Sequence, residues 1–146
     1  MSERYFFDTN VLLYSISTAP AEAAKRRRAI ELLERNDGAL SVQVLQEFYW
    51  QATRPKRPDA LPHDVAVGFI EAWIRFDVQD LTLPVMMAAL EISARHRFSY
   101  WDSAIIAAAR AVGCRVLYTE DLTHDQVVEG VRIVNPFREP VPGATR

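Results

Sequence analysis

Four acidic residues carry the chemistry open to this sequence. Asp8 closes the apolar run Tyr5-Phe6-Phe7 and is followed by Thr9 and Asn10. Glu47 sits beside the apolar positions Val44, Leu45 and Phe48, Asp102 lies in Ser99-Tyr100-Trp101-Asp102, and Asp121 ends Tyr118-Thr119-Glu120-Asp121. Each has an ordinary reading when taken alone. Asp8 can cap a helix that resumes at Val11, Glu47 can be a solvated rim residue, and Asp102 stands three positions after a capping serine. Glu120 competes with Asp121, since adjacent residues point opposite ways and only one of them can face a common site. If the acids meet, their charges decide the chemistry. Two carboxylates about 4 Å apart repel by ~4 kcal/mol at an effective dielectric of 20, so they must share protons or bind a cation. An oxygen-only ligand set suits Mg²⁺ or Mn²⁺, whereas zinc would want histidine or cysteine. Such an ion keeps waters, lowers the pKa of one and binds phosphate oxygens, which points to phosphodiester hydrolysis without a side-chain nucleophile. Thr9, Asn10 and Thr119 are suited to holding the carboxylates or orienting the phosphate. The three histidines, His63, His96 and His124, show no ligand spacing and read as surface residues.

The acids can meet only if the elements carrying them open on one edge. Short β-rich segments occur at residues 4–8, 38–42, 75–78, 115–119 and 131–134. Helical spacing runs through 20–35, 42–53, 63–74, 84–95 and 100–112. Ser41 suits an N-cap, Pro62 and Pro84 stand at helix starts, and Gly113 suits a helix stop. Alternating strands and helices predict an α/β fold with a mostly parallel sheet covered on both faces. In such a sheet ligands bind beyond the carboxyl ends of the strands. Asp8 and Asp121 follow strands, Glu47 is in a helix emerging from a strand, and Asp102 begins a helix that feeds the strand before Asp121. All four therefore belong to that edge.

The bulk composition sets the remaining bounds. A chain of 146 residues with 49% hydrophobic content predicts one domain over 1–146, with an irregular tail over 135–146 rich in Pro and Gly. A single cysteine, Cys114, excludes an internal disulfide framework and a Cys-rich zinc site. No apolar run approaches the ~20 residues of a membrane helix, so no membrane association and a cytoplasmic location are expected. The formal net charge of −2 and a pI near 5.9 exclude a uniformly basic nucleic-acid clamp. Local basic clusters remain at 25–28, at Arg54, Lys56 and Arg57, and at 95–97. Leu12-Leu13-Tyr14 and Phe48-Tyr49-Trp50 are too apolar for one helix face to bury, which predicts a shared or exposed surface near the acids.

The segments Phe7-Asp8-Thr9-Asn10, Ser41 through Glu47-Phe48, Tyr100-Trp101-Asp102-Ser103 and Thr119-Glu120-Asp121-Leu122 resemble, in order and separation, the acidic motifs of PIN-domain nucleases. The likeness spans nearly the whole chain and is closest to the VapC-type toxins of toxin–antitoxin pairs. It implies a three-layer α/β/α sandwich with a mostly parallel sheet and Mg²⁺- or Mn²⁺-dependent cleavage of RNA at Asp8, Glu47, Asp102 and Asp121. It further implies a homodimer and inhibition by a cognate antitoxin. The competing reading is a PIN-like module that binds RNA or protein without catalysis. A haloacid dehalogenase-type phosphatase would show Asp-x-Asp where Asn10 stands, and a Rossmann domain would need a Gly-rich first turn that is absent.

Overall fold

The computed structural model describes residues 4–138. Strand β1 (Tyr5–Phe7) is followed by α1 (Thr9–Ser15), a 3₁₀ turn (Pro20–Glu22), α2 (Ala23–Leu33) and β2 (Gly38–Ser41). Then come α3 (Val42–Thr53), α4 (His63–Trp73), β3 (Asp77–Gln79), α5 (Leu83–His96) and α6 (Tyr100–Ala111). The chain continues through β4 (Val116–Tyr118), β5 (Val127–Val128) and β6 (Val131–Val134). The strand order is β3-β2-β1-β4-β6-β5, parallel throughout except for the β5–β6 pair.

This order explains the layers. The first two crossovers step from β1 to β2 to β3, whereas the third returns from β3 to β4 on the far side of β1. Right-handed crossovers that travel in opposite directions lay their helices on opposite faces. Contacts join α1 to α2 and α3, and α3 to α4, while α5 packs on α6. The fold is the expected three-layer α/β sandwich. Phe6, Leu40, Leu117 and Ile133 on four adjacent strands are fully buried, as are Val44 and Phe48 from α3 and Ile106 from α6.

Local chemistry shifts several boundaries. The first helix starts at Thr9 rather than Val11, because the Asp8 side chain caps it. The segment expected as one helix over 20–35 begins as a separate 3₁₀ turn at Pro20, and β3 lies a residue or two later than its expected span. Strand β5 was not apparent in the sequence. It joins β6 through Glu129 and Gly130, both at positive φ (51° and 81°), a two-residue hairpin that usually announces itself as Asn-Gly or Asp-Gly. Glu129 is held there by Arg95, by His96 at 3.4 Å and by Arg110 at 3.8 Å. The start of the expected irregular tail is tied down: the Asn135 amide donates to His124 Nδ1 at 3.0 Å, and the Phe137 ring meets Tyr14 edge-on. Its remainder, 139–146, lies outside the described residues.

Candidate active site

Beyond the carboxyl ends of β1 and β4 lies a cavity of about 260 Å³ whose lining includes Asp8, Asn10, Glu47, Trp101, Asp102 and Asp121. Neighbouring crossovers leave β1 and β4 in opposite directions, which opens a crevice in sheets of this kind. Asp8 both caps α1 and faces the cavity, with Oδ1 accepting from the Thr9 amide at 2.7 Å. Ser41 caps α3 by accepting from the Val44 amide at 3.2 Å, and Glu47 follows in the next turn. At the start of α6 the Ser99 hydroxyl accepts from the Asp102 amide at 3.1 Å, while the Asp102 carboxylate lines the cavity.

Hydroxyls and amides stitch these acids together. Thr119 Oγ1 donates to Asp8 Oδ2 at 2.8 Å and accepts from the Asp121 amide at 3.1 Å and from Asn10 Nδ2 at 3.2 Å. Asn10 Nδ2 also donates to Asp121 Oδ2 at 3.2 Å, and its Oδ1 is buried without a partner. Thr9 Oγ1 donates to Glu47 Oε2 at 2.8 Å, and Gln43 Nε2 donates to Glu47 Oε1 at 3.0 Å.

The electrostatics follow from this crowding. Burial pushes the Asp8 carboxyl from 3.8 up to about 7, with the Asp121 and Glu47 charges adding to it and the Thr119 and Thr9 hydrogen bonds opposing it. Asp121 is also raised, first by partial desolvation and then by Glu120, Asp102 and Glu47, against the Asn10 hydrogen bond. The site is short of positive charge. Among the described residues, no group of three or more acidic, histidine or cysteine side chains is arranged to hold an ion as it stands. Both Glu47 oxygens are engaged by the protein's own donors. The donor chemistry nevertheless fits a hard divalent cation, because the ligands are all oxygens, two carboxylates carry raised proton affinity and Asn10 Oδ1 is an orphaned acceptor.

The adjacent acids at 120 and 121 part company. Asp121 lines the cavity, whereas Glu120 turns to α1 and α2, accepting from the Tyr14 hydroxyl at 2.6 Å and from Lys25 Nζ at 3.2 Å. Sequence reasoning missed that ion pair, whose members lie 95 positions apart. It also missed Gln43, although a Gln four residues before Glu47 on one helix face was a readable signal. Trp101 was noticed only as part of a motif; the residue is 64% exposed and lines the cavity. None of the three histidines lines the cavity. Of the apolar runs, Leu12 and Phe48 are buried, Leu13, Tyr14 and Tyr49 are half-buried, and Trp50 is exposed.

The PIN domain family profile matches residues 5–130. A comparison with curated proteins gave no match. Among solved structures, the fold is similar to a toxin–antitoxin complex from Klebsiella pneumoniae, with TM-score 0.67 at 19% identity, covering 90% of this chain and 97% of that one. It is similar to Mycobacterium tuberculosis VapC20, described as a Sarcin-Ricin loop cleaving toxin, with TM-score 0.62 at 20% identity, covering 80% and 89%. DNA-bound VapBC from Salmonella typhimurium gives TM-score 0.59 at 23% identity, covering 90% and 97%. At these identities the likeness is one of fold.

Proposed function

The chain belongs to the PIN domain family, and from that premise we propose that it is a metal-dependent endoribonuclease and the toxin of a toxin–antitoxin pair. The observation that carries this reading is the convergence of Asp8, Glu47, Asp102 and Asp121, from four segments, on one cavity. These carboxylates would hold Mg²⁺ or Mn²⁺. Bound there, the ion would supply an activated water and positive charge against the phosphoryl oxygens.

The remaining work falls to the chain's own residues. Thr119 fixes Asp8, and Thr9 and Gln43 fix both oxygens of Glu47, so these carboxylates are oriented before any substrate arrives. Asn10 restrains Asp121 at the exposed mouth. RNA as substrate is supported by the likeness to a toxin described as cleaving the Sarcin-Ricin loop, and an antitoxin partner by the likeness to toxin–antitoxin complexes. We assign Tyr49 and Trp50 to the antitoxin contact and read 1–146 as one domain that acts as a homodimer in the cytoplasm. The exposed apolar residues Leu83, Met87 and Leu90 on α5 suit a subunit contact, and among the described residues no helix is long and apolar enough to cross a membrane.

The test is cleavage of RNA during a Mg²⁺ or Mn²⁺ titration by the wild type, Asp8→Asn and Asp102→Asn. Metal-dependent fragments from the wild type and none from either folded variant are expected. Full cleavage by a variant would remove that acid from the site. A second reading, a binding module without catalysis, draws on the absence of a ready ion-holding group among the described residues. It predicts RNA or protein binding with no cleavage at any metal concentration.

A further inference from the structure

A second cavity, of about 720 Å³, lies between α1, the 3₁₀ turn and the loop 54–59. Its size falls within the range of about 300–1,000 Å³ typical of small-ligand sites. It shares Asn10 and Leu13 of α1 with the acidic cavity, so the two adjoin. Resting on the ribonuclease reading, we propose that this cavity is a subsite for the nucleotide flanking the cleaved phosphodiester, with Arg54 and Lys56 receiving that nucleotide's phosphate.

The charge arrangement carries the argument. Three acids line the cavity; two are paired with cations and the third, Glu22, is held by a hydroxyl. Glu120 accepts from Lys25 and Tyr14. Asp59 accepts from Arg57 Nε at 3.0 Å and from Thr18 Oγ1 at 3.0 Å, and Glu22 accepts from the Ser17 hydroxyl at 2.6 Å. Arg57 is thereby spent. Arg54 and Lys56 are exposed on the same loop and make no ion pair among the described residues. The Arg54 guanidinium lies over the exposed Trp50 ring at 5.4 Å.

With Glu120 and Asp59 paired to cations and Glu22 alone uncompensated, the two unspent cations Arg54 and Lys56 leave the lining and its partners one net positive charge, which favours an anion over a cation. The adjoining acidic cavity has the opposite character and would repel a polyanion wherever no cation intervenes. A strand crossing the acids therefore needs a compensating hold beside them, and Arg54 and Lys56 line the adjoining cavity. Leu13, with Ala19 before the 3₁₀ turn and Ala21 within it, gives the lining apolar surface against which an unstacked base can lie.

The test measures fluorescence anisotropy of labelled diuridylate and hexauridylate with wild type and the Arg54→Gln/Lys56→Gln double variant, in EDTA, across a salt series. The wild type should bind the hexanucleotide more tightly than the dinucleotide. The double variant should lose roughly tenfold on the hexanucleotide, and its slope of log affinity against log salt should become shallower by about 0.7, the value for one phosphate contact on a single strand. Both residues are exposed, so a thermal melt should be unchanged.

An unchanged hexanucleotide affinity and salt slope overturns the proposal, and so does an equal loss on both lengths, which would place the residues at the acids rather than beside them. Intact RNA binding with lost affinity for the product of the neighbouring reading frame overturns it in favour of a protein partner. A wild type that binds no RNA in EDTA overturns this proposal, while the ribonuclease reading stands or falls separately on the metal-dependent cleavage assay.

Discussion

Replacing Asp8 with asparagine should abolish cleavage and, in metal-free buffer at pH 8, make the protein more stable. The folded state holds the Asp8 proton up to about pH 7, whereas the unfolded chain releases it near 3.8. Stability from this group is therefore complete below 3.8 and is lost as pH rises through 7. The displacement corresponds to roughly 4 kcal/mol at about 1.4 kcal/mol per pH unit. Asparagine does not titrate and, like the protonated carboxyl it replaces, offers one carbonyl acceptor and one donor to the Thr9 amide and the Thr119 hydroxyl. The variant should thus exceed the wild type by about 3–4 kcal/mol at pH 8, roughly 10 °C in Tm for a chain of this length. At pH 4, where the wild-type carboxyl is itself protonated, the two should agree within about 1 kcal/mol. Urea unfolding of both proteins in EDTA at pH 4, 6 and 8 measures the difference, in which carboxylates common to both cancel. A difference that stays constant across that range would refute the burial argument.

Thr119→Val should destabilise the fold by about 1–3 kcal/mol, because the hydroxyl serves Asp8, Asn10 and Asp121 at once. It should also raise the Asp8 pKa further, readable by NMR titration of that carboxyl. Saturating Mg²⁺ at pH 8 should raise the wild-type melting point, with about 2.7 kcal/mol expected at a hundredfold excess over Kd; an equal rise in Asp102→Asn would take that residue out of the metal site. In Gly38→Ala the new Cβ would stand 2.3 Å from Phe7 Cε2, so chemical denaturation should show a loss of about 1–3 kcal/mol with the catalytic residues untouched. Trp50→Ala should leave stability within about 0.5 kcal/mol and weaken antitoxin binding by about 30-fold, measured by calorimetry.

The parallel sheet and its carboxyl edge were legible because strand and helix periods alternate cleanly and because Ser41, Pro84 and Gly113 punctuate them. Convergence of the four acids on that edge followed from chain direction alone. The choice between Glu120 and Asp121 was not local. It depends on Lys25 and Tyr14, which reach Glu120 from two distant helices. Nor could the sequence reveal that Glu47 is clamped on both oxygens, since one donor, Thr9, lies 38 positions away. Strand β5 is two residues long and its turn begins with Glu129, a residue that rarely takes positive φ. The side chains that meet Glu129 there, Arg95 and His96 of α5 and Arg110 of α6, come from distant positions.

The position of β1 also bears on when the site comes into being. Its partner β2 follows after a short stretch of chain, but on its other flank it waits for β4, and the bond from Thr119 to Asp8 spans 111 positions. Closing so long a loop is entropically costly and tends to come late in folding. The strands β1, β2 and β3 can pair in order of synthesis, yet Asp102 and Asp121 arrive only with α6 and the chain leaving β4. A chain still emerging lacks Asp102 and Asp121, and one whose β4 side has opened no longer holds them beside Asp8 and Glu47. On the proposed reading, cleavage would require this long-range closure, and a chain lacking α6 and β4 would carry only Asp8 and Glu47 of the four acids.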